Sequence, residues 1–480
     1  MIKDIAYEAL NTALDGGASF CEVRVVKQRY QSIEVKNELV ESVTDDVNYG
    51  IGIRVIANGS WGFAATSFLE KDKVKEVVRR AIDIARASSL VKKHDVILAT
   101  SPRIIATWHN QVKINPFDVS LNNKISLLLD ATRIMNTVKN IRIAQGSMEF
   151  WETEKFFINS EGSEIFQHII ESGGGIEAYA IREGDVQRRS YPNSFGGQYE
   201  NRGYELIEDI RLLDYAQRIA EEASALLDAP ECPSCNTTLI LDGLQVALQV
   251  HESVGHPTEL DRILGMEASY AGTSFVSIKD KGNLKYGSKL MNITADATLQ
   301  GGLGSFGYDD EGTPAQRVPI VREGILVGFL TNRETAYIIN EQSNGTCRAD
   351  GWENIPIIRM TNINLEPQEG TLEDLIKDTK EGIFMSTNKS WSIDDKRLNF
   401  QFGLEIAWEI KNGRLTRILK NPNYTGITPE FWGSLDAVCG PSEWKIWGVP
   451  NCGKGQPGQV AHVGHGTSPA RLRNVRIGVR

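Results

Sequence analysis

His251-Glu252-Ser253-Val254-Gly255-His256-Pro257 closes an apolar run that begins near Leu244, and it is the densest chemistry in this 480-residue chain. With seven histidines and 62 acidic residues, a histidine–acid–x–x–x–histidine run would arise by chance about 0.013 times. Two imidazoles with a carboxylate beside the first are what hydrolytic zinc chemistry uses. The rings hold the ion, and the carboxylate stays off it as a proton acceptor. The spacing departs from the usual one. On a regular helix residues four apart diverge by about 40°, but residues five apart by about 140°. Gly255 is a natural helix terminator, and Pro257 disfavours helical backbone at His256. The expectation is that His251 and Glu252 occupy the last helical turn, with His256 just beyond it and free to swing back. A π-bulge is the other device. A catalytic zinc usually takes three protein ligands. Glu259 and Asp261 are the near candidates for the third, although carboxylates that support a site or face solvent are the plainer reading of both. Cys452, in Asn451-Cys452-Gly453-Lys454, is the distant candidate, and Lys454 would favour its thiolate. Taken alone, Cys452 reads as an ordinary buried thiol.

Outward from that run, the second half is rich in strands. One is predicted over 238–241, and hairpins over 318–330 and 402–419, turning at Arg322-Glu323-Gly324 and Asn412-Gly413. Upstream, a long amphipathic helix over 207–227 ends before Pro230. Asp228-Ala229-Pro230-Glu231-Cys232-Pro233-Ser234-Cys235 reads as the linker, which divides the chain into 1–229 and 230–480. The first part mixes helices over 5–14, 71–88 and 120–135 with strands over 21–27, 32–36, 50–56, 141–152, 155–159, 164–170 and 175–181. Asn58-Gly59, Gly162 and Gly173-Gly174-Gly175 read as turns. The predicted class is α+β, a mixed N-terminal region followed by a β-rich C-terminal domain that carries the metal-binding helix.

Composition narrows the functional classes. The net charge of −10 draws the protein neither to nucleic acid nor to anionic membranes. Hydrophobic residues at 41% and charged ones at 24% are those of a globular protein, not a disordered one. Six scattered cysteines are too sparse for a disulfide framework and fit a reducing compartment. Ile2-Lys3-Asp4-Ile5-Ala6-Tyr7-Glu8 sets acids where a secretory signal would be apolar, and no run approaches the ~20 apolar residues of a spanning helix. A cytoplasmic protein is expected.

Other motifs carry less. Cys232-Pro233-Ser234-Cys235 lacks the second pair of a zinc knuckle. Gly302-Leu303-Gly304-Ser305-Phe306-Gly307 has the glycine spacing of a dinucleotide loop. Asp309-Asp310-Glu311 follows where a helix should, and its charge would repel a pyrophosphate. The three acids read as a solvated turn, and Lys92-Lys93-His94 as a solvated charge run.

The chain resembles the TldD/PmbA family of metalloproteases over essentially its whole length. The resemblance is carried by Gly50-Ile51-Gly52-Ile53-Arg54-Val55, His251-Glu252-Ser253-Val254-Gly255-His256, Ser305-Phe306-Gly307-Tyr308-Asp309-Asp310-Glu311-Gly312-Thr313-Pro314, Arg359-Met360-Thr361-Asn362 and Cys452-Gly453-Lys454. It implies zinc on His251, His256 and Cys452, with Glu252 as general base, and cleavage of unfolded or short peptides. It also implies a homodimer, or a heterodimer with a TldE/PmbA-like paralogue, built around an enclosed cleft. The PmbA/TldE branch generally lacks the metal-binding residues, whereas this sequence keeps all four. A thiolate ligand weakens Lewis acidity, so a further group must steady the oxyanion. His462 and His465 follow closely, and His465 is the candidate, although loop packing is the plainer reading of both. Weak sequence preference fits a peptide held as an added strand. Two alternatives stay open. One is a catalytically silent scaffold that binds peptides or a partner. The other is ferrous iron in place of zinc, as in peptide deformylases with a similar ligand set.

Overall fold

The computed structural model describes residues 2–270, 272–455 and 458–479. The first half is built on a long-stranded, mostly antiparallel sheet in the order Ser60–Thr66, Leu39–Ala57, Phe20–Lys36, Ile141–Asn159, Glu164–Arg182 and Ile105–His109. The strands predicted over 21–27 and 32–36 are one, Phe20–Lys36, because the polar stretch between them stays in register with charged partners. Arg29 pairs with Asp45 at 2.8 Å, and the Tyr30 hydroxyl donates to Glu149 at 2.6 Å. Helices Ile2–Asp15 and Lys71–Ser89 cover one end of the sheet, and Leu121–Asn136 and Leu212–Leu226 cover the other, each pair over its own apolar core. Ser120 caps its helix by accepting from the Asn123 N–H, as serine does at that position.

Two expectations fail here for local reasons. Gly173-Gly174-Gly175 is not a turn but the middle of Glu164–Arg182. A Cβ on Gly173 would lie 1.9 Å from Tyr199 Cδ1, so glycine is needed for the strand Gln198–Glu200 to approach. The single helix over 207–227 is broken into Glu205–Ile210 and Leu212–Leu226 by Arg211 at φ +51°. The Tyr191 hydroxyl donates to the Ile210 carbonyl at 2.9 Å, satisfying the group that the break frees.

In the second half, Cys235–Leu241 lies inside a seven-stranded sheet between Glu381–Ile393 and Ala470–Ile477. Asn412 and Gly413 turn the expected hairpin with φ of +51° and +73°, the left-handed pair of a type I′ turn. Helix Gly243–Val250 follows, and Asp242 caps it by accepting from the Gln245 N–H at 2.8 Å. Every residue of this helix is buried, so its polar side chains need internal partners. The Gln245 amide donates to the Tyr424 hydroxyl, which donates to Gln249 Oε1, both at 2.8 Å. That chain fixes the rotation of the helix.

Asp309-Asp310-Glu311 is not a solvated turn, for all three residues are buried. Asp310 meets Lys155 at 2.6 Å and Arg24 at 3.8 Å, and Glu311 meets Arg54 at 2.7 Å. These second-half carboxylates are neutralised by first-half cations, and the two halves are clamped together. Among the described residues no helix is long and apolar enough to cross a membrane.

Candidate metal centre

Helix Gly243–Val250 does not stop at Glu252. It widens into a π-turn over His251–Gly255 and then tightens into a 3₁₀ turn over His256–Thr258. The His256 N–H donates to the carbonyl of His251, five residues back. The π-bulge is thus the device that brings the imidazoles together, and His256 does not leave the helical region, since its φ is −60°. Gly255 is not a terminator either. It stays helical at φ −56°, and a Cβ there would lie 2.0 Å from Met360 Sδ. Glycine serves here because Met360 packs onto the bare backbone.

Cys452 arrives on the strand Lys445–Gly455, whose pairing with Gly458–Thr467 slips between Val449 and Cys452. That bulge re-aims the side chain. Sγ lies 3.7 Å from His256 Nε2, and one ligand atom from each of His251, His256 and Cys452 falls within 4.8 Å of the others. All three residues are buried.

Both rings are held from behind. His465 donates from Nδ1 to the Ile363 carbonyl at 3.0 Å, which leaves its Nε2 to accept from His251 Nδ1 at 2.8 Å. His256 Nδ1 donates to Glu259 Oε2 at 3.0 Å. Each Nδ1 carries the proton and each Nε2 keeps a lone pair for the cluster, the tautomer that a metal-ligating histidine needs. Two nitrogens and a sulfur, brought together in a buried pocket, form a donor set that fits zinc.

This arrangement corrects several expectations. His465 has both ring nitrogens engaged behind His251, so no N–H is left to meet an oxyanion. Glu259 supports His256. Asp261 pairs with Lys454 at 2.8 Å, and Lys454 also lies 3.4 Å from Glu259. Lys454 is therefore spent on carboxylates and does not activate Cys452. Burial alone would raise the Cys452 thiol, but the His251 and His256 rings and the Arg359 guanidinium hold it well below its usual value. Burial, against the pull of Cys452, holds His256 well below the ordinary imidazole range. His462 Nδ1 donates to Glu171 Oε2 at 2.9 Å, and the ring sits edge-on to Trp151.

Glu252 is buried beside His251 and has partners that the sequence did not signal. Trp391 Nε1 donates to Glu252 Oε1 at 2.9 Å, and the Arg397 guanidinium pairs with Oε2. Both come from the hairpin joining Glu381–Ile393 to Asn399–Lys411, where Asp394-Asp395-Lys396-Arg397 looks like any solvent-facing turn. A cleft of about 400 Å³ runs along Pro450 and Asn451, next to Cys452 in sequence but with no metal-centre residue in its lining, and is walled by Trp151, Phe195 and Tyr199 of the first half. A larger depression of about 940 Å³ between 108–113 and 297–308 touches none of the metal-centre residues.

Together the α+β fold and the His–His–Cys cluster define a metallopeptidase architecture. The PmbA/TldA metallopeptidase models match in three parts: domain 1 over 21–85, the central domain over 114–227 and the C-terminal domain over 234–478. A metalloprotease of Methanocaldococcus jannaschii is 30% identical over 96% of this chain and 97% of its own length. A zinc metalloprotease TldD homolog of Saccharolobus solfataricus is 24% identical over 98% of this chain and 99% of its own. The crystal structure of TldE from Thermococcus kodakarensis shares the fold, with a TM-score of 0.75 at 17% identity over 99% and 100% of the two chains. The chain belongs to the PmbA/TldD metallopeptidase family, as its motifs led one to expect.

Proposed function

We propose that this protein is a zinc peptidase that hydrolyses unfolded or short peptides, with His251, His256 and Cys452 as metal ligands and Glu252 as general base. The observation that carries the reading is the buried convergence of the three donors, with both Nδ1 atoms tied back so that the Nε2 lone pairs face inward. Zinc held there supplies Lewis acidity and a water whose pKa is brought near ~7. Glu252 accepts the proton of the attacking water and returns it to the leaving amine nitrogen as the C–N bond breaks. Trp391 and Arg397 fix the carboxylate for that transfer. His465 and Glu259 hold the ligand rings in their working tautomer.

The proposed division of labour places the cleft wall and subunit pairing in 1–229 and catalysis in 230–480. The peptide lies as an extended strand, held by main-chain hydrogen bonds with little regard to side chain, and the cleft along Pro450 and Asn451 leads it toward the strand that carries Cys452. The TldE-like fold supports pairing with a paralogue or with a second copy. Six cysteines, all free, suit the cytoplasm.

Glu252→Gln is expected to keep its metal and lose hydrolysis of an unstructured peptide, whereas Cys452→Ala loses both. Metal content and peptide cleavage are read on the same preparations. Full activity in Glu252→Gln would remove the general-base role. Elemental analysis of protein purified without air separates zinc from ferrous iron.

A further inference from the structure

Arg397 sits at φ +64°, a left-handed backbone region that residues other than glycine adopt at a cost. Neighbours hold it there: its N–H donates to the Asp394 carbonyl at 2.8 Å, and its own carbonyl accepts from Thr428 Oγ1 at 2.9 Å. These two bonds hold the turn in place beside Glu252. The side chain turns inward onto Glu252 Oε2, yet its Nε–H is buried with no acceptor. A guanidinium has five donors in a rigid fork, so one that meets a single carboxylate oxygen has capacity left for a second anion.

Three other cations near the cluster meet groups that do not react, although Nε of Arg348 and of Arg359 is, like that of Arg397, buried without an acceptor. Arg359 donates to the carbonyls of Gln459 and Cys452. Lys454 holds Asp261 and the Ile358 carbonyl, and Arg348 holds the Met360 carbonyl. Arg397 alone of these four touches the residue assigned as base. Its side chain keeps 17% exposure, so solvent reaches it.

We propose that Arg397 is a further catalytic residue, whose guanidinium pairs with Glu252 at rest and receives the negative charge that develops on the scissile carbonyl oxygen. The inference rests on the proposed function above and fills the role that His465 cannot take. The charges balance through the step. As the water oxygen bonds to the carbonyl carbon, its proton passes to Glu252 and the carbonyl π-pair moves onto oxygen. The carboxylate facing Arg397 is neutralised as the new anion appears, so the cation is not left without a counter-charge. On collapse the electron pair returns, the C–N bond breaks, and Glu252 protonates the amine.

The test compares Arg397→Met, Arg397→Lys and Arg397→Ala in the zinc-loaded full chain. Removing one such donor typically lowers kcat about 10²–10³-fold. Arg397→Met is expected to show that loss with metal content intact and KM changed by less than about threefold, because a transition-state contact has gone. Arg397→Lys should recover part of the rate, and millimolar guanidinium should raise kcat of Arg397→Ala. A peptide with a phosphinate at the scissile position, carrying the same charge, should bind Arg397→Lys more weakly than the wild type by a comparable factor. The proposal falls if Arg397→Met keeps kcat within about threefold of the wild type. It also falls if Lys and added guanidinium restore nothing, or if the phosphinate binds Arg397→Lys undiminished. Glu252→Gln, run alongside, separates the two readings. If it hydrolyses peptide, the general base is wrong and Arg397 falls with it, whereas an inactive Glu252→Gln beside an active Arg397→Met sinks Arg397 alone.

Discussion

His465 shows how much a residue off the ligand list can do. Its ring passes a fixed orientation from the Ile363 carbonyl to His251 Nδ1. Glutamine there could still accept from His251 through its amide oxygen, whereas alanine would leave a buried N–H without an acceptor. His465→Ala is therefore expected to weaken metal binding about 10–100-fold, and His465→Gln less, as read by competition with a chromogenic chelator. A variant that binds metal as tightly as the wild type would show that packing alone orients His251. The candidacy of His465 was legible in the sequence because histidine is scarce; its role was not, since which nitrogen faces which neighbour is set by strands far apart in the chain.

At the scale of elements, the π-turn was visible only as a choice between two devices. Glycine and proline at 255 and 257 satisfy the local rules for a helix end, yet the chain stays helical there. Tertiary contacts decide it: the Tyr286 hydroxyl donates to the Ser253 carbonyl at 2.5 Å, Thr258 Oγ1 donates to the Val254 carbonyl at 2.8 Å, and Met360 fills the space over Gly255. Hairpin turns such as Asn412-Gly413 and caps such as Ser120 were legible because their cause lies within a few residues. The buried polar chain through Gln245, Tyr424 and Gln249 was not, being assembled from two elements. Tyr424→Phe should leave two amide groups short of a partner and cost about 1–3 kcal/mol, measurable as a lower denaturant midpoint with an unchanged slope. An unshifted midpoint would mean that the helix is held by its apolar contacts alone.

For the molecule as a whole, the two halves share buried charge. Arg54 lies between Glu22 at 2.7 Å in its own half and Glu311 at 2.7 Å in the other, so neither carboxylate is balanced without it. Removing one member of such a buried set usually costs about 3–5 kcal/mol. Arg54→Met should lower the thermal midpoint accordingly and let the first half melt separately by calorimetry, whereas a single unshifted transition would deny the clamp. The strand-rich second half could be read from composition and punctuation. The clamp could not, because three consecutive acids look alike whether water or guanidinium neutralises them.

The same acids bear on how the protein can be handled. A fragment beginning at residue 230 would carry Asp310 and Glu311 into water stripped of their counter-ions. The half that bears the His–His–Cys cluster is thus no portable cassette to be excised or grafted; the smallest piece worth engineering is the entire polypeptide.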